Sequence, residues 1–211
     1  MQLHDTIDSL IEADRRIIAI GMAVPGPYLR NVGRTAVVSS MRGWQKVNFI
    51  HEFSNAFTVP VFVEQDARAG AMAQYLFDPT ITTENLAYYL VGEGVGLGVI
   101  DHGNIINGAL GAATEIGHVS IDINGKPCDC GNVGCLERYC STPAIHEMIL
   151  KEGDLIADAD TMTHLQACRA LFALARGGDK RAIALIKRVA RYVGFGCITI
   201  FNSFNPSQIV I

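Results

Sequence analysis

Glu115-Ile116-Gly117-His118, followed ten residues after the histidine by Cys128-Asp129-Cys130-Gly131-Asn132-Val133-Gly134-Cys135-Leu136-Glu137, is the stretch that decides how this chain reads. Three cysteines fall within eight positions, spaced C-x-C-x4-C. Thiolate and imidazole are the ligands Zn²⁺ prefers, and four of them in a tetrahedron close a structural site. His118, Cys128, Cys130 and Cys135 are therefore the candidate metal ligands, and Gly131 and Gly134 permit the tight turns a small metal loop needs. Glu115 and Glu137 flank the set, so a metal knot would hold two carboxylates in place. The other reading, unrelated core or surface thiols, is the weaker one, because clustered cysteines without a secretory signal point to metal or redox chemistry. Cys140 is a reserve ligand. Cys168 and Cys197 lie in apolar helical stretches and read as buried small hydrophobes.

The 211 residues are 49% hydrophobic and 18% charged, with a net charge of −4. That is the composition of a globular chain able to bury a core, and no apolar run approaches the ~18 residues of a membrane span. The start, Met1-Gln2-Leu3-His4-Asp5, lacks the basic and apolar regions of a signal peptide, which with reduced thiols predicts a cytoplasmic protein. There is no lysine/arginine stripe of the kind nucleic acids select. Lys180, Arg181, Lys187, Arg188 and Arg191 have helical spacing and read as a solvated face.

Periodicity predicts a helix over 3–14 and a buried strand over Arg16–Val24, ending at the Pro25-Gly26-Pro27 loop. A helix is expected over Val47–Phe57 and a strand over Val59–Glu64. Asp66 then opens a helix over Ala67–Phe77, closed by Asp78-Pro79. Strand, acid, helix puts Asp66 at the carboxyl end of a strand, where α/β folds place ligands; by itself, Asp66 would read as a helix N-cap. A second lobe starts near Glu84. Leu86–Val91 and Val95–Ile100 are strands around a glycine-rich turn (Gly92, Gly94, Gly96, Gly98), and Asp101–Asn104 turns into Ile105-Ile106. Helices are expected over Thr142–Leu150, His164–Arg176 and Asp179–Phe204, with a strand beginning in Ser207–Ile211. The chain starts on a helix and stops inside a strand, which reads as a fragment cut at both ends.

Four blocks in order resemble the ROK family of repressors and sugar kinases: Gly21-x-x-x-Pro25-Gly26; Glu64-Gln65-Asp66-Ala67; Gly92–Gly98; and Glu115-x-Gly117-His118 with the cysteine segment through Glu137. They cover most of residues 17–140, the last being the most specific, and Asn205-Pro206 resembles the entry to the family's final strand. The resemblance implies an actin-like, ribonuclease-H-like two-lobe α/β fold with a zinc loop. Residues 1–84 would be the remainder of the N-terminal lobe, and residues 85–211 a C-terminal lobe carrying the zinc segment 118–135. It implies that Gln65, Asp66, Glu115, His118 and Glu137 face a sugar. Asp66 would be the base that accepts a hydroxyl proton in kinases, and His118 would bind zinc through one ring nitrogen.

Against catalysis, the resemblance notes no D-x-G-x-T phosphate hairpin before Ile17, and the family's adenosine-side Gly-Gly would follow Ile209–Ile211. Glu93 stands where kinases carry Thr, Gln65 where they carry Asn, and Ser40, just before Met41-Arg42-Gly43-Trp44, where they carry Asn. A carboxylate ~4 Å from a phosphate charge costs on the order of 4 kcal/mol at intermediate dielectric; the other reading of Glu93 is a solvent-pointing turn residue. The expectation is a sugar-sensing effector domain of a transcriptional repressor of carbohydrate metabolism, binding a hexose-like sugar between the lobes. It would reach DNA only through a region outside this chain and would form a homodimer or higher oligomer. The alternative is a kinase for hexoses or N-acyl-hexosamines using Mg-ATP with Asp66 as base; the third is a non-catalytic interaction module.

Overall fold

The computed structural model describes residues 2–36, 43–53 and 56–211, so the expectation at Ser40 lies outside the described residues. Helix α1 (Gln2–Ala13) leads to strand β1 (Ile20–Val24). A short hairpin that the sequence reading did not foresee follows, β2 (Tyr28–Leu29) and β3 (Arg34–Thr35), then a 3₁₀ turn at Trp44–Lys46 and helix α2 (Phe49–Phe53). β4 (Val61–Gln65) runs straight into α3 (Asp66–Phe77).

Three expectations in this region are corrected. The first strand is not Arg16–Val24 but starts at Ile20, because its only partner among the described residues is β4, in parallel register from Ile20↔Val61. The position before Val61 is Pro60, which accepts from Ile20 N–H but has no N–H to extend the ladder. For the same reason β4 begins at Val61 rather than Val59. The helix expected over Val47–Phe57 is limited to Phe49–Phe53, where Asn48 Oδ1 accepts the His51 N–H at 3.1 Å and Phe49 and Phe53 are buried one turn apart; Ser54 and Asn55 lie outside the described residues.

The remaining strands are β5 (Leu86–Val91), β6 (Val95–Asp101), β7 (Asn104–Ile105) and β8 (Gln208–Val210), in the order β7-β6-β5-β8 with only the β5–β8 pair parallel. Side chains alternate between two covered faces. Ala87, Tyr89, Leu97 and Val99 pack with Leu136, Cys140 and Ile200, whereas Leu86 and Ile100 pack with Ala71 of α3. A Cβ at Gly98 would collide with the Ala67 carbonyl, so glycine there lets α3 lie close on the sheet.

Helices α4 (Glu137–Cys140), α5 (Thr142–Lys151), α6 (His164–Arg176) and α7 (Lys180–Phe204) complete the chain. Each long helix has its sequence signal: Ser141 caps α5, a Thr163/Gln166 capping box opens α6, and Asp179 caps α7. Helices α5, α6 and the start of α7 share an apolar cluster that includes Ile149, Leu171 and Leu185. The basic residues of α7 are exposed, as expected, and so are Phe195, Ile198 and Phe201. Among the described residues no helix is long and apolar enough to cross a membrane.

Candidate functional site

The Cys/His segment folds as a small knot. Isolated bridges pair Ser120 with Cys135 and Pro127 with Val133. Gly131 and Gly134 have φ of 92° and 72°, and a Cβ at Gly134 would strike the Asp122 backbone. The ligand atoms of His118, Cys128, Cys130 and Cys135 all lie within 4.8 Å of one another. Cys130 Sγ is 3.7 Å from Cys135 Sγ, and Cys128 Sγ is 3.8 Å from His118 Nδ1. A tetrahedral ion with metal–sulfur bonds of about 2.3 Å has S···S edges of about 3.8 Å, so these residues could hold a metal. Burial pushes the Cys135 thiol up to about 12, so a cation must displace its proton to bind. Cys140 stays out of the cluster: it is fully buried and its Sγ donates to Leu136 O. Cys168 is buried and Cys197 partly so.

Beside the knot lies a cleft of about 310 Å³. The Pro25–Pro27 loop, the β4–α3 junction, the glycine-rich turn, Glu115, His118, Glu137 and Arg138 line it. Gln65, Asp66, Glu115, His118 and Glu137, singled out from the sequence, thus share one cavity. Gly92, Gly94 and Gly96 also line it, but Gly98 does not; it is a packing residue against α3.

Each acid is held by a specific neighbour. Gln65 is 2% exposed, and its Nε2 donates to Glu115 Oε1 at 3.0 Å. Glu137 Oε2 accepts from Val95 N–H at 2.8 Å, tying the knot to the glycine-rich turn. Asp66 is the first residue of α3 and Oδ1 accepts from its neighbour Ala67 N–H at 2.7 Å, with Gln65 at the cap position. Burial raises Asp66 above the usual carboxylate range despite that bond. Burial likewise pushes Glu115 up to about 7; the Gln65 bond and Arg68 oppose this, while Asp66 and Glu137 reinforce it.

Glu93 is exposed at the turn, as one reading of the sequence has it, but it is not free. Thr142 Oγ1 donates to its Oε1 at 2.7 Å and His164 Nδ1 stands 2.9 Å from its Oε2.

Sequence reasoning missed Arg68 and Arg138. Arg68 is fully buried in α3; Nε donates to Glu64 Oε1 at 2.8 Å, one η nitrogen to Tyr28 O at 3.3 Å and the other to Gly111 O. Glu64 also pairs with Arg30. The i,i+4 spacing of Glu64 and Arg68 was the available signal, but the strand–helix junction between them hid it. Arg138 lines the cleft with a buried Nε that has no partner; nothing in its sequence context marked it.

The ROK family model matches residues 1–211.

This chain belongs to the ROK family.

The xylose repressor of Bacillus subtilis is 29% identical over 209 residues, covering 99% of this chain and 51% of the repressor. A glucokinase of Halalkalibacterium halodurans is 31% identical over 220 residues, covering 99% of this chain and 66% of the kinase. The crystal structure of a ROK hexokinase from Thermus thermophilus superposes with a TM-score of 0.79 at 28% identity, over 99% of this chain and 68% of that one. The ROK chain described here therefore spans about half the length of the repressor it matches. Its mixed α/β architecture is that of its ROK structural neighbour, and its relatives include both a repressor and kinases.

Proposed function

We propose that this chain is the sugar-sensing part of a ROK-type transcriptional repressor of carbohydrate metabolism. In this reading a hexose-like sugar sits in the cleft, residues 1–84 and 85–211 are the two lobes around it, and DNA is bound by a region outside this chain. One observation carries the reading: Gln65 and Asp66, Glu115, and Glu137 come from three separate segments and meet in one cavity whose wall includes His118 of the Cys/His cluster. Carboxylates recognise vicinal hydroxyls by accepting their hydrogen bonds, and prepositioned acids lower the ordering cost of binding. Zn²⁺ is the ion the donor set His118, Cys128, Cys130 and Cys135 suits, and it would supply fixed geometry there rather than chemistry. With Nδ1 facing the thiols, the His118 Nε2 is left for the ligand or its neighbours. Similarity to the xylose repressor supports the sensor. A ligand acts by favouring one degree of lobe closure over another. The exposed apolar residues of α7 support a dimer.

The competing reading is a hexose or N-acyl-hexosamine kinase using Mg-ATP, favoured by Asp66 at the cleft, where burial raises its affinity for a proton, and by the glucokinase relative. Melting curves with a sugar panel, run beside a coupled ADP-release assay, separate the two. Sugar-dependent stabilisation without turnover supports the sensor, and robust turnover ends it. Stabilisation by neither sugar nor ATP leaves the non-catalytic interaction module.

A further inference from the structure

Turns rich in glycine gather negative charge by pointing backbone N–H groups at it, so an anionic group on a ligand would be drawn to the Gly92–Gly96 end of the cleft. In this chain part of that donor capacity is already taken within the protein, by an acid and by a backbone carbonyl. Val95 N–H is taken by Glu137 Oε2 at 2.8 Å, and Gly92 N–H by Gly94 O at 2.9 Å. Glu93, at the tip of the turn and on the cleft wall, receives the Thr142 hydroxyl at 2.7 Å and stands 2.9 Å from His164 Nδ1. Thr142 and His164 are the first residues of α5 and α6, where helix dipoles favour an anion. The carboxylate of Glu93 thus takes up the hydrogen-bonding capacity that an incoming phosphate would need.

The rest of the wall agrees. Asp66, Glu93, Glu115 and Glu137 line about 310 Å³, and Arg138 is the guanidinium among the described lining residues. Gln65, 2% exposed, keeps a buried Oε1 with no partner. Such a set asks its ligand for hydrogen-bond donors. Hydroxyl groups supply them, whereas a phosphate at neutral pH offers mainly acceptors.

We infer that the cleft takes an uncharged polyhydroxylated ligand and rejects phosphorylated ones, with Glu93 the residue that decides. This rests on the sugar-site reading and narrows it to a ligand class.

Calorimetric titration of the whole chain with D-glucose, D-glucose 6-phosphate, N-acetylglucosamine, its 6-phosphate and inorganic pyrophosphate tests it. Wild type is compared with Glu93→Gln and with the charge-preserving Glu93→Asp, each first checked for a cooperative melt. Wild type should bind an uncharged sugar about tenfold or more tighter than the matching phosphate, and Glu93→Gln should narrow that ratio on the order of tenfold. Glu93→Asp should restore it. Pyrophosphate should bind Glu93→Gln and not wild type. Equal or tighter binding of the sugar phosphate by wild type overturns the inference and assigns the wall to Arg138; so does an unchanged ratio in Glu93→Gln. If no sugar binds any of the proteins, the sugar-site reading falls, while the pyrophosphate arm still decides Glu93: gain of binding in Glu93→Gln upholds its role and no gain overturns it.

Discussion

The amide of Gln65 donates to the carboxylate of Glu115, fifty positions further along the chain, at 3.0 Å. This bond joins the β4–α3 junction to the segment that leads into the Cys/His knot. It also leaves Glu115 buried with a raised proton affinity, since burial outweighs what Gln65 and Arg68 contribute to its charged form.

That has a consequence for stability. Glu115 moves from an ordinary value of 4.5 in the open chain to about 7 when folded. Between those values the folded state holds a proton that the unfolded chain has released, so stability falls as pH rises from about 4.5 to 7 and is level above. The loss should be on the order of 3 kcal/mol. Urea unfolding across this range should show the decline in wild type and a flatter profile in Glu115→Gln; an equal decline in both would remove Glu115 as its source.

Cys135 is fully buried at the centre of the knot, with Cys130 Sγ at 3.7 Å. Freshly purified protein should carry about one zinc per chain, and Cys135→Ser or Cys128→Ser should lose both the metal and much of the stability. Elemental analysis with a parallel melting curve checks this. Full zinc content in Cys135→Ser would exclude the ligand assignment.

Glu137 leaves the knot and reaches the glycine-rich turn through Val95 N–H. Glu137→Ala should therefore abolish the rise in melting temperature given by a bound sugar while keeping zinc at about one per chain. A retained sugar response would place recognition elsewhere in the cleft.

Arg68 spans Glu64, Tyr28 O and Gly111 O from a fully buried position. Arg68→Met removes one partner of Glu64, which keeps Arg30, and leaves the Tyr28 and Gly111 carbonyls without this donor; it should cost about 2–4 kcal/mol in chemical denaturation. Arg68→Lys should recover only part, because a single ammonium does not reproduce the planar fork. A loss below ~1 kcal/mol in Arg68→Met would mean that Arg30 alone suffices to hold Glu64.

Local pattern was readable to different depths in different places. The capped helices α5, α6 and α7 stand within a residue or two of where their end signals put them, because capping is settled among neighbours in the chain. The apolar run before Val24 was overread, since a strand lasts only as long as its partner's hydrogen bonds, and those stop at Pro60. Gly98 reads in the sequence as one more member of the glycine-rich turn and is instead a point of close helix–sheet contact. Glu93 could be recognised as unusual, but not its partners, which come from the starts of two distant helices.

What the sequence by itself determined is the donor set His118, Cys128, Cys130 and Cys135, and the turns that bring it together. Residue type and glycine placement within a few positions set that loop locally, so the clustering is encoded in the segment itself. What only the tertiary structure decided is that Gln65 and Asp66 meet Glu115 and Glu137 across a single cavity, and that Thr142 and His164 hold Glu93. Those meetings depend on how α3 seats on the sheet and how α5 and α6 dock beside the glycine-rich turn. Such packing is governed by contacts between residues far apart in the chain, which local periodicity does not encode.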